Sequence, residues 1–141
     1  ITEACLLTGT PYKTSYDESY IHELLKKLLA LGCHTAALTG VSYEKGRLGV
    51  VSLDRNGDTF SYFTRHCPQS YHGTGDLYSS TVLGGLMRGL SLGNALSLAA
   101  DFVVACIEAT ASAENARWYA VEFESQIPLL CEMLDQRLKN N

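Results

Sequence analysis

Gly73-Thr74-Gly75-Asp76 stands directly before the apolar run Leu77 to Leu90, and this junction constrains the chain more than any other stretch of it. The run predicts a helix from about Asp76 to Arg88, with Gly89 ending it. Glycine turns with positive φ and lets a ligand approach the backbone with no Cβ in the way. The unpaired N–H groups of a first helical turn, with the helix dipole behind them, favour an anion by roughly 0.3–1 kcal/mol when exposed. Gly73 to Gly75 are therefore a candidate phosphate cradle. Asp76 has two readings. A carboxylate beside a phosphate suits a proton acceptor for an attacking hydroxyl, but an acid here also serves as an ordinary cap or first-turn residue. Spacing alone leaves both open.

The remaining chain predicts alternating helices and strands. Thr2 to Leu7 reads as helix, closed by Gly9 and Pro11, and Ser15-x-x-Glu18 offers a capping box for a second helix that runs to Gly32. Thr35 to Thr39 reads as a short buried strand. Leu48 to Leu53 and Thr59 to Thr64 flank Asp54-Arg55-Asn56-Gly57-Asp58, and Asn-Gly between two such runs is a hairpin signal. Arg65 to His72 is a polar connector. Ser91 caps a further helix to about Ala111, Trp118 to Val121 offers a last strand, and a final helix covers Ile127 to Leu138. Helices and strands in this order predict α/β layering.

Composition excludes several classes of function. Fifteen acidic and eleven basic residues give a net charge of −4, and only Lys26 and Lys27 are adjacent, so nothing favours nucleic acid. The apolar stretches around Leu77–Leu90 and Ala95–Ala111 are interrupted by Gly84, Gly85, Arg88, Asp101 and Glu108, which argues against a membrane span. Cys5, Cys33, Cys67, Cys106 and Cys131 are odd in number and widely spaced, as expected of reduced core thiols in a cytoplasmic protein rather than of a disulfide framework or a zinc site.

Other candidate residues each have a plain alternative. Glu3, at the start of the first helix, complements its dipole. Thr39-Gly40 follows a strand, where α/β folds bind ligands, or is a simple turn. Arg65 ends a strand and can reach a phosphate with its planar donors, or stands solvated. His66 and His72 lack metal-ligand spacing and read as polar loop residues. Tyr71 and Tyr78 could face an aromatic ligand, or pack with their hydroxyls bonded.

Taken in order, Glu3, Thr39-Gly40, Arg65 and Gly73-Thr74-Gly75-Asp76-Leu77-Tyr78, followed by Gly89-Leu90-Ser91-Leu92, make the chain resemble the C-terminal half of the ribokinase-like pyridoxal and pyridoxamine kinases. The resemblance covers essentially all 141 residues. It implies a ribokinase-like three-layer α/β/α fold, of which residues 1–141 form the C-terminal portion of a single kinase domain. It implies ATP-dependent phosphorylation of the 5′-hydroxymethyl group of a vitamin B6 vitamer, with Mg²⁺, in a cytoplasmic homodimer.

By the same resemblance Asp76 is the catalytic base, and Gly73, Thr74 and Gly75 form the anion hole. Glu3 organises Mg²⁺ through water. Thr39, Gly40, Arg65, His66, Cys67, Pro68, Tyr78 and Ile107 border ATP. Hydroxymethylpyrimidine kinases usually carry Cys where Asp76 stands, and sugar kinases usually read Asp-Thr-x-Gly-Ala-Gly-Asp, which Tyr71 to Asp76 does not match. Thr39-Gly40 stands where some members have Thr-Ser, with one hydroxyl donor fewer. The family's pyridine-ring pocket, opening Gly-rich segment and a second metal-site acid belong to an N-terminal half that is expected upstream of Ile1, so residues 1–141 alone are expected to lack turnover. The alternatives are a hydroxymethylpyrimidine or sugar kinase of the same superfamily, and a non-catalytic nucleotide- or phosphate-binding module.

Overall fold

A computed structural model describes residues 1–113 and 119–140, which divide into two compact units, residues 1–63 and 64–141. The first unit opens with helix α1 (Thr2–Thr8), ended by Gly9 in the left-handed region at φ 62°. Helix α2 (Glu18–Ala30) follows. Its cap is Asp17, whose carboxylate accepts the Tyr20 N–H at 2.9 Å, so the expected box on Ser15 does not form. Asp17 stands three residues before Tyr20, the spacing at which a short side chain reaches that orphan N–H.

The sheet has the order β1 (Thr35–Val41), β2 (Arg47–Asp54), β3 (Thr59–Arg65), and β1 pairs antiparallel with β2. β1 is half-buried rather than fully buried, and it runs past Thr39 to Val41. Its register slips between Thr39 and Val41, where Gly40 takes φ 74° as the extra residue of a bulge. Without the bulge, Gly40 would take the paired position and strand alternation would turn Val41 away from the face occupied by Ala36 and Leu38. With it, all three join Tyr20, Ile21, Leu24 and Leu25 of α2 in one core. Thr39 lies on the exposed side. Thr39-Gly40 is therefore a kink within the strand, not a turn beyond it.

The β2–β3 turn forms as its sequence predicts. Asp54 Oδ1 accepts the N–H groups of Asn56 at 2.8 Å and Asp58 at 2.9 Å, and Gly57 takes φ 90°. The Arg55 guanidinium donates to the carbonyls of Gly32 and Cys33 just beyond α2.

The second unit contains α3 (Thr74–Met87), α4 (Leu92–Ser112), a short 3₁₀ turn (Glu124–Gln126) and α5 (Ile127–Lys139). Gly85 lets α3 and α4 approach closely, because a Cβ there would stand 3.2 Å from both the Ala95 Cβ and Leu90 Cδ1. By length and composition α4 could cross a membrane despite Asp101 and Glu108, yet 44% of its most apolar window is buried within the fold. It acts as the core helix here: Phe102 and Cys106 are fully buried, and Asp101 pairs with Arg137 of α5 at 2.5 Å. Of the expected last strand, Trp118 lies outside the described residues, and Ala120 makes a single parallel bridge with His72. Cys5 and Cys106 are core thiols as expected. Cys33 and Cys131 are exposed, because one follows the end of α2 and the other lies on the outer side of α5.

Candidate functional site

The junction before α3 is held from both sides. His72 donates its N–H to the Tyr119 carbonyl at 3.1 Å and accepts the Val121 N–H at 3.2 Å. Tyr71 and Leu77, on either side of the glycines, pack with Phe102, Cys106 and Val121. The Thr74 hydroxyl closes the turn by donating to the Tyr71 carbonyl at 3.2 Å. A backbone fixed in this way can present N–H groups to a ligand without paying much ordering entropy.

Gly73 is the N-cap of α3, at φ 88°. Its carbonyl accepts the Leu77 N–H at 2.9 Å, but with no side chain it bonds none of the first-turn N–H groups. The helix therefore begins at Thr74, two residues earlier than the sequence suggested, and Asp76 is a first-turn residue rather than the cap. Asp76 is exposed. A Cβ added at Gly75 would meet nothing within 4 Å, so the space beside the cradle is open. Such an end, with free N–H groups and the dipole behind them, fits a phosphate oxygen.

The remaining predicted residues fall into two groups. In the second unit, Arg65 ends β3 and pairs with Glu108 of α4, a partner that the sequence did not reveal because the two lie 43 positions apart. His66 and Pro68 are exposed and Cys67 is half-buried in the connector that follows. The Tyr78 hydroxyl donates to the Leu96 carbonyl at 3.0 Å, and burial pushes its pKa up, which is the packing alternative for this residue. Ile107 packs against the Phe102, Cys106 and Val121 cluster. In the first unit, Glu3 is an exposed first-turn acid of α1, and Thr39 and Gly40 are exposed at the bulge.

Comparison with known proteins decides the family. Residues 1–119 match the model of the phosphomethylpyrimidine kinases. The chain belongs to that family. Among solved structures it is similar to a pyridoxal kinase from Lactobacillus plantarum, at 29% identity and a TM-score of 0.78, over 96% of this chain and 47% of that one. A Bacteroides thetaiotaomicron protein assigned to the phosphomethylpyrimidine kinases is 28% identical, with a TM-score of 0.78 over 96% of this chain and 44% of that one. A second crystal form of that protein contains pyridoxal. Pyridoxal kinase from Leishmania donovani, solved with ADP and pyridoxine, shares the fold at 18% identity and a TM-score of 0.75, over 92% of this chain and 45% of that one. No curated protein matches the chain. The fold is thus the ribokinase-like α/β fold of the pyridoxal kinases, and the chain spans less than half the length of these relatives.

Proposed function

We propose that the protein carrying this chain transfers the γ-phosphoryl group of ATP to the 5′-hydroxymethyl group of a vitamin B6 vitamer. The observation that carries this reading is the uncapped start of α3 with an exposed carboxylate on its first turn, in a chain of a kinase family. The N–H groups of Thr74 and Gly75 would hold the transferring phosphoryl oxygens. Asp76 would accept the proton as the substrate oxygen attacks phosphorus and ADP leaves. Arg65 would reach the nucleotide on leaving Glu108.

The nucleotide phosphates fit the open glycine turn. The metal fits less completely. No three His, Cys, Asp or Glu residues converge to hold an ion among the described residues, so Glu3 would supply one contact through water and the remaining ligands would come from outside this chain. Mg²⁺, when bound, supplies charge neutralisation on the phosphates.

The family is named for phosphomethylpyrimidine, which favours a pyrimidine, as the hydroxymethyl compound or its phosphate, as the second substrate class. A substrate panel on the complete kinase polypeptide separates the readings: pyridoxal, pyridoxamine, pyridoxine, hydroxymethylpyrimidine, phosphomethylpyrimidine and a sugar, each with ATP and Mg²⁺. A vitamer should exceed the pyrimidine by roughly tenfold or more in kcat/KM. The reverse order would assign the pyrimidine, and ATP binding without turnover on any of these acceptors would leave only a nucleotide-binding role.

A further inference from the structure

A cavity of about 440 Å³ lies within the first unit, where the first turn of α2 overhangs β2 and β3, and none of the residues assigned above lines it. Its walls include Glu18, His22, Tyr43, Val51, Phe60 and Phe63. The volume is in the range of small-ligand sites. Three of those six residues are aromatic. Tyr43 and Phe63 hold each other at 5.6 Å between ring centres, tilted by 51°, and Tyr16 meets Tyr43 edge-on at 6.4 Å. These contacts fix the aromatic wall before any ligand arrives.

The charge at this wall is negative. The ion pairs among the described residues join Lys27 to Glu23, Arg47 to Glu44, Arg65 to Glu108 and Arg137 to Asp101, and none of them involves Glu18. Burial and the neighbouring Glu18 charge push the Tyr43 hydroxyl up to about 12. Arg47 lies over the Phe63 ring at 5.9 Å, but its guanidinium is held by Glu44 and the Phe63 carbonyl. The start of α2 does not offer an anion site in compensation, since Asp17 already occupies the Tyr20 N–H.

We propose that this cavity binds a small organic cation, an ammonium group carried on an aromatic or alkyl body. Glu18 takes the charge. Tyr43, Phe60 and Phe63 take the body, their electron-rich faces favouring a cation over a neutral group of the same shape. This inference does not depend on the kinase reading.

The test is a calorimetric titration of the protein with 2-phenylethylammonium, 2-phenylethanol and 3-phenylpropionate, which share a ring and differ in charge. The ammonium should bind about tenfold more tightly than the alcohol, and the carboxylate should not bind. Glu18→Gln should bring the ammonium to the level of the alcohol, and Phe60→Leu should weaken it by about threefold. Equal affinity for ammonium and alcohol, preference for the carboxylate, no binding at all, or an unchanged Glu18→Gln variant would each overturn the assignment. Should Glu18→Gln melt early by circular dichroism, the ranking of the three ligands on the unaltered protein decides alone.

Discussion

Helices α2 and α3 start in opposite ways. Asp17 gives α2 a side-chain acceptor for the Tyr20 N–H, and Ser91 does the same for the Asn94 N–H at 3.3 Å in α4. Gly73 gives α3 none. A capped start has spent an N–H group on the fold, whereas an uncapped start keeps it for solvent or a ligand. At a φ of 88° a side chain at position 73 would be strained, so the chain places a glycine there, forgoes a side-chain cap and braces the turn through His72 and the Tyr119–Val121 segment. On the proposed function, the difference makes α2 and α4 scaffold and α3 the end that would hold an anion.

Substitutions at the two starts should separate these roles, and the largest effect is expected at Asp76. In the complete kinase, Asp76→Asn keeps the size and removes the base, so kcat should fall by ~10²–10⁴ while the melting temperature stays nearly constant. A variant that keeps more than about a tenth of the activity would return Asp76 to a dipole-complementing role.

Gly73→Ala comes next. Its φ of 88° is hostile to a side chain, so stability should drop by about 1–2 kcal/mol and phosphate affinity should drop with it. Asp17→Ala should cost a similar ~1 kcal/mol and leave phosphate affinity unchanged. Chemical denaturation combined with phosphate titration reads both quantities, and a parallel loss of affinity in Asp17→Ala would dissolve the contrast.

Tyr78→Phe removes the bond to the Leu96 carbonyl and should cost roughly 0.5–1.5 kcal/mol. If the residue serves packing, nucleotide affinity is unchanged; a clear loss of affinity would restore it as a nucleotide contact. The smallest effect concerns pH. The Tyr43 proton is held more tightly in the folded protein than in the unfolded chain, so its contribution is complete below pH 10 and lost as the pH rises towards about 12. Stability measured across that window should decline, and Tyr43→Phe should flatten part of the decline.

Much of the fold could be read because its signals are local. Asp54 to Asp58 specify their turn through a side chain that bonds the next residues of the same segment, and Ser91 caps α4 within three positions. Misreadings arose where two residues competed for one task. Ser15 and Asp17 could each cap α2, but Ser15 would bond the Glu18 N–H of a helix begun two residues earlier, whereas the helix begins at Glu18 and Asp17 accepts the Tyr20 N–H. The start of α3 reads two residues late in the sequence because a glycine cap has no side chain to announce it. In the candidate site, the glycine cradle and Asp76 were legible as one contiguous motif. The Glu108 partner of Arg65 was not, because the two residues lie far apart in the sequence and no local signal links them.

The central claim is that the start of α3, unlike those of α2 and α4, holds an anion. It is tested most directly by following backbone amide resonances while inorganic phosphate, and then ATP, is added to the protein. The shifts should concentrate at Gly73 to Asp76 and saturate, with the first turns of α2 and α4 unmoved. Shifts of equal size at all three helix starts, or none at Gly73 to Asp76, would contradict it.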